Sequence, residues 1–87
     1  MATALGRRVL IEAIDHALAG EFDPALAIVR EHANDRRACH VGAIVLRLRG
    51  EKSEAMRWYR NAGIWDWPNA DPQGQLLHLR QEYDFQY

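Results

Sequence analysis

Cysteine is almost missing from the chain: Cys39 is its sole thiol. No internal disulfide can form, which points to a reducing compartment and a cytoplasmic protein. Long apolar runs are missing as well. The stretch VGAIVLRLR is broken by Arg47 and Arg49, well short of the ~20 residues a membrane-spanning helix needs. The opening MATALGRRVLIEAIDHA carries charge on both sides of a short apolar run and reads as mature protein without a secretory signal. Excess charge of one sign is lacking too, the formal net charge being -1, so nothing drives the whole chain toward nucleic acid or a membrane surface. What is present is apolar: 48% of the 87 residues are hydrophobic and three are tryptophan. That composition builds a packed globule and excludes a disordered chain. A chain of this size buries about 60 to 65% of its extended surface on folding, enough for one core and one domain over residues 1–87.

The most informative stretch is GEKSEAMRWYRNAG, Gly50 to Gly63. Gly50 is suited to close one helix, because only glycine turns the backbone left-handed without steric cost. Ser53 is placed to cap a new helix, with Glu54 at its positive end. Ala55, Tyr59 and Ala62 recur at spacings of four and three and form one inward stripe. Gly63 ends that helix.

Together with the preceding AIVLRLR, this stretch resembles the second half of a tetratricopeptide (TPR) repeat, through Gly50, Ala55, Tyr59 and Ala62. The resemblance implies an all-α scaffold of stacked helical hairpins that serves many purposes. Sliding the sequence on itself by thirty positions supports a duplication. Arg7, Ala13, Ile14, Leu18, Gly20, Glu21, Ala25 and Arg30 fall on Arg37, Ala43, Ile44, Leu48, Gly50, Glu51, Ala55 and Arg60. The offset is shorter than the about 34 residues of the standard repeat, which requires a tight turn or a shortened helix. Phe22 also stands where the TPR pattern favours an aromatic.

The expected fold is therefore all-α: two TPR-like antiparallel helical hairpins, about 5–33 and 35–63, a loop over 64–71 and a C-terminal capping helix over about 72–83, five helices in all. The first helix, Leu5 to Ala19, turns Val9, Leu10, Ala13, Ile14, Ala17 and Leu18 to one side and Arg8, Glu12, Asp15 and His16 to the other. Gly20 ends it, Asp23 caps the second helix, and Pro24 takes its first turn. Asn34 or Asp35 caps the third, whose middle, Val41 to Leu46, is apolar on every face and should be the most enclosed element. Gly42 and Ala43 there let a neighbour approach closely. The loop IWDWPNADPQ is dense in turn formers. Asp71 and Pro72 then start a fifth helix with Leu76, Leu77, Leu79 and Tyr83 on its apolar side. Repeat arrays leave an apolar flank at each end, and this helix is suited to cover one.

Motifs for chemistry are sparse. Cys39 and His40 are adjacent and point to different helix faces, and His16, His32 and His78 have no ligand partner one turn away, so neither a metal nor any other cofactor is expected. A small enzyme would need Cys39 or Ser53 beside a base. Cys39 falls on the buried helix and Ser53 is explained by capping, so no catalysis is expected. Arginine is the unusual feature: it supplies ten of the eleven basic residues. Arg36, Arg37, Arg47, Arg49, Arg57 and Arg60 form a basic middle, opposed only by Glu51 and Glu54, ahead of a more acidic tail. An arginine-rich nucleic-acid-binding protein is one reading of that cluster. A solvated surface with local pairs such as Glu54 with Arg57 is the blander and favoured one.

The TPR resemblance implies a different use, in which the first helix of each hairpin lines a groove. Its positions here are Arg7, Leu10, Ile14 and Ala17, then Arg37, His40, Ile44 and Arg47. An acidic or C-terminal peptide would lie along Arg37, His40, Ile44 and Arg47. Leu10 and Ile14 replace the lysine and asparagine of the family's carboxylate clamp, so that specificity is not expected. The groove can equally be filled by the fifth helix or by a second copy in a homodimer. Trp65 and Trp67 are further partner-binding candidates, although one of them at least is expected to pack on the core. The aromatic end, Tyr83, Phe85 and Tyr87, poses the same choice. The expected function is a non-catalytic protein-protein interaction or assembly module.

Overall fold

A computed structural model describes residues 6–85. It is all-helical, with α1 (Arg7–Leu18), α2 (Phe22–Glu31), α3 (Arg36–Leu48), α4 (Lys52–Asn61) and α5 (Pro72–Asp84). The expected start of the first helix at Leu5 lies outside the described residues. Among the described residues no helix is long and apolar enough to cross a membrane.

Three glycines set the ends of α1, α3 and α4. Gly20, Gly50 and Gly63 have φ of 80°, 82° and 83°, a region where a side chain costs about 1–2 kcal/mol. Each allows the same closure. Glu21 N–H donates to His16 O at 2.8 Å, Glu51 N–H to Leu46 O at 2.9 Å and Ile64 N–H to Tyr59 O at 2.8 Å. One residue earlier, the glycine amide bonds Ala17, Arg47 or Arg60 at 2.9–3.0 Å. This double bond satisfies carbonyls that the helix end leaves open. The next helix restarts at once, through Glu21 and Glu51, which share φ -93° and ψ 74°. The two hairpin turns thus have the same backbone conformation.

That immediate restart corrects two capping expectations. The helices begin at Phe22 and Lys52, and neither Glu21 nor Glu51 makes a side-chain cap bond. Asp23 and Ser53 therefore fall inside the first turn and are not caps. Asp23 still favours the positive helix end, and its carboxylate faces Arg49 at 3.3 Å. Pro24, two residues further in than expected, stays among the first amides that have no partner in a helix. The other caps form as expected. Asp35 accepts from Arg37 N–H at 2.8 Å, and Asp71 accepts from Gly74 N–H at 2.9 Å ahead of Pro72.

The core forms around α3, which packs against all four other helices. Every residue from Val41 to Leu46 is buried. Leu10, Ala13, Ile14 and Ala17 of α1 and Ala25, Leu26 and Val29 of α2 meet it from the first hairpin. From α4 it receives the expected stripe of Ala55, Tyr59 and Ala62. Gly42 has the close neighbour foreseen for it, since a Cβ there would stand 2.7 Å from the Trp58 ring and 3.2 Å from Val29.

Helix α5 folds back across α1 and α3, and among the described residues its backbone does not approach α2 or α4. Leu76, Leu79 and Tyr83 face inward. Leu77 corrects the expected apolar side, being 49% exposed. At 100° per residue it lies a quarter-turn beyond the stripe made by positions 76, 79 and 83. At the α1 side, Arg80 Nε donates to Asp15 Oδ1 at 2.6 Å on the surface.

Candidate interaction site

The expected groove residues have different fates because α5 covers the face that α1 and α3 share. Ile44 is fully buried, as are Leu10, Ile14 and Ala17 to within 3%. A partner cannot touch Ile44 while α5 is in place, so the structure takes that residue out of the proposed contact set. It is a core residue.

Arg47 projects from the last turn of α3 and joins three other segments. Its Nη1 donates to Tyr59 Oη of α4 at 3.2 Å and to Gln75 Oε1 of α5 at 2.9 Å, while Nη2 donates to the Ala70 carbonyl at 3.0 Å. The guanidinium also lies 4.9 Å from the centre of the Trp67 ring, within cation–π range. Trp67 in turn meets Tyr59 edge to face, with centroids 5.8 Å apart. Tyr59 is wholly inaccessible, and burial pushes its phenol above the ordinary value although Arg47 opposes the shift. Arg47 therefore holds the chain together, and its donors are directed inward.

Arg37 grips its own cap residue. Its Nε and Nη2 donate to the two oxygens of Asp35 at 3.1 and 2.9 Å, and these bonds hold the Asp35 carboxyl below the usual range. His40 is half-buried and faces open space on one side. Burial lowers its pKa, against a smaller opposing influence of Glu82, and its ring lies 6.0 Å from that of Tyr59. Beside it is a hollow of about 340 Å³ lined by Ala70, Asp71, Gly74, Gln75, His78 and Leu79. Trp67 is 37% exposed nearby, at the Arg47 end of α3, whereas Trp65 is 71% exposed. Of the two tryptophans expected to choose between core and partner, Trp67 touches the core residue Tyr59 by its edge contact while staying exposed.

Most of this hollow escaped the sequence reading. Asp71, Gly74, Gln75 and His78 recur at helical spacing along one side of α5, a visible pattern. Their meeting with His40 depends on α5 folding back over α3, which no local spacing encodes.

The remaining candidates are accounted for locally. Cys39 is 2% exposed, its thiol donates to Ala33 O at 3.2 Å, and burial raises its pKa. His16 pairs with Glu21 at 2.7 Å and His78 approaches Glu82 at 3.9 Å. Among the described residues no three His, Cys, Asp or Glu side chains converge as metal ligands would. Of the six arginines of the basic middle, Arg36 donates to Ala62 O at 3.2 Å, Arg49 pairs with Asp23 and Glu51, and Arg37 and Arg47 are engaged as above. The expected Glu54–Arg57 pair does not form among the described residues. Arg60 lies 6.0 Å from the centre of the Trp65 ring. At the aromatic end, Tyr83 is buried and Phe85 is 76% exposed, while Tyr87 lies outside the described residues.

No protein-family model, curated protein or solved structure matches the chain.

Proposed function

We infer that the protein is a non-catalytic interaction or assembly module, built on a TPR-like pair of hairpins, that receives a peptide or protein segment in the hollow between His40 and α5. The carrying observation is that α5 fills the face shared by α1 and α3 and leaves this hollow open at its flank. The lining is mainly apolar, with a few polar groups at the rim, as small recognition sites usually are. The equal turns at Glu21 and Glu51 and the buried Ala55, Tyr59 and Ala62 support the TPR-like reading. The covered thiol of Cys39 supports a role without catalysis. Engagement of Arg36, Arg37, Arg47 and Arg49 within the chain favours protein binding over nucleic-acid binding, which would require those forks free for phosphate.

The test is to recover partners from the native host with the wild-type chain and with two variants that change the hollow alone. Gly74→Leu fills it and His78→Glu puts an added carboxylate on its rim. Both positions are exposed, and circular dichroism checks that each variant is folded. Loss of the same partner from both variants is the expected result. Equal recovery from all three chains would end the assignment.

A further inference from the structure

The four exposed large apolar residues are Trp65, Trp67, Leu77 and Phe85 among the described residues. All lie beyond the end of α4, and hairpin 1 contributes none. Three of them belong to two surfaces of opposite character. On α4, Ser53, Arg57 and Arg60 fall at i, i+4 and i+7, so they share one exposed stripe. Among the described residues Arg57 makes no ion pair or hydrogen bond, and Arg60 meets only the Trp65 ring in this way. That surface is basic and aromatic. On α5 and its cap, Leu77, Gln81, Asp84 and Phe85 fall at i, i+4, i+7 and i+8, Glu82 lies past Phe85 at the opposite edge of the same outward face from Asp84, and all are exposed. This second surface is acidic and apolar. Arg80, the cation nearest to it, is already taken by Asp15.

The opposite charges do not meet within one chain. Among the described residues α4 and α5 meet through the Tyr59–Gln75 bond and their backbones stay apart, and neither Arg57 nor Arg60 pairs with Glu82 or Asp84. Among the described residues the one ion pair of Glu82 is the long 3.9 Å approach to His78. The formal net charge of -1 leaves little repulsion between whole molecules to oppose local attraction. A two-fold axis lets each copy offer its basic stripe to the other's acidic one, so the same contact forms twice.

We propose that the occupant of the Arg57–Arg60–Trp65 face is the α5 surface of a second copy, with Glu82 and Asp84 against the arginines and Leu77 and Phe85 against Trp65. This rests on the reading of the chain as an assembly module and names the partner as the chain itself. The aromatic and apolar groups supply the desolvated centre of the contact, and the rim charges set its orientation and its rate of formation.

Sedimentation equilibrium of the full chain over a concentration series, at low and high salt, tests it. The expected result is a mass rising from one chain to two, with affinity falling by about tenfold or more in high salt as rim charges are screened. Two charge-reversed chains then give the decisive comparison. Arg57→Glu with Arg60→Glu makes both stripes acidic, and Glu82→Arg with Asp84→Arg makes both basic. Each alone should stay monomeric at concentrations where the wild type pairs, and an equal mixture should form a mixed dimer. All four positions are exposed, so the substitutions leave the core intact, and recovery of the mixed dimer itself reports folding.

A wild-type mass of one chain at every concentration in low salt would overturn the proposal, as would a mixture that remains monomeric. So would a low-salt mobility shift of single-stranded RNA by an otherwise monomeric wild type, which would give the face to nucleic acid. Gly74→Leu lies outside both stripes and should dimerise normally. Failure here is thereby separable from failure of the hollow as a partner site.

Discussion

Arg47 Nη1 stands 2.9 Å from Gln75 Oε1 and 3.2 Å from Tyr59 Oη, so one nitrogen of α3 fastens both α4 and α5. The triangle is closed by Tyr59 Oη donating to Gln75 Oε1 at 3.4 Å. Arg47→Met keeps much of the side-chain stem and removes every donor. It leaves the fully buried Tyr59 without its cationic partner, and losing such a bond at a buried group costs about 1–3 kcal/mol. The loss should appear as a lower urea midpoint, with the Trp67 fluorescence altered in the folded state. Gln75→Ala in the Arg47→Met background should cost less than Gln75→Ala alone, because the two residues share the network. Full additivity in this cycle would show that the contacts are independent.

The equal turns permit a sharper test. A Cβ at Gly20 or Gly50 meets nothing within 4 Å, so alanine at either site suffers only the cost of positive φ. Both substitutions should therefore destabilise by the same amount, about 1–2 kcal/mol. Gly63 has the same φ, but a Cβ there would run into the Arg36 guanidinium. Gly63→Ala should also disturb the bond from Arg36 to the Ala62 carbonyl and cost more than either. Chemical denaturation of the three variants checks the order.

These turns also show what the sequence could carry. Glycine at 20, 50 and 63 and the Ala55–Tyr59–Ala62 stripe were legible because one residue type or one helical period decides each. The helix starts were misread because Asp23 and Ser53 are good caps in isolation. The glycine closure joins straight into the next helix and places them one residue inside it. Leu77 looked inward because leucine usually is, yet the stripe through Leu76, Leu79 and Tyr83 was already complete without it. The site was the least legible part. The TPR resemblance groups Arg37, His40, Ile44 and Arg47 as groove positions, but α5 buries one of them and binds another, and only the return of the chain over α3 assembles the hollow beside His40.

His40 carries a pH dependence. Burial lowers its folded-state pKa below the ordinary value, so the unfolded chain takes up a proton more readily than the folded one. The resulting stability is fully present above about pH 6.5, the unfolded value, and is lost as pH falls from there toward the folded value. Asp35, whose carboxyl is lowered by Arg37, contributes stability that is present above its unfolded pKa and lost only in more acidic solution as pH falls through its folded pKa. Urea midpoints measured downward from neutral pH should therefore fall in two separate stages. His40→Gln should flatten the first and leave the second. Persistence of the first stage in that variant would assign it to another group.

Two glycines inside helices should respond to alanine with opposite sign. At Gly74 a Cβ would stand 3.4 Å from Asp71 Oδ2 and 3.9 Å from its Cβ, ordinary contacts, and the backbone there is already helical. Gly74→Ala should stabilise by up to about 1 kcal/mol, the helix-propensity difference, while retaining the amide that Asp71 caps. At Gly42 the same methyl would come within 2.7 Å of the Trp58 ring. The ring must shift on a helix packed against α3, at a cost of about 1–3 kcal/mol for overpacking, which offsets or exceeds the propensity gain. Gly42→Ala should thus lower the urea midpoint and alter the near-ultraviolet signal of Trp58, whereas Gly74→Ala raises the midpoint and leaves that signal unchanged. A stabilised Gly42→Ala with an unaltered aromatic spectrum would mean that Trp58 does not lie over this position in solution.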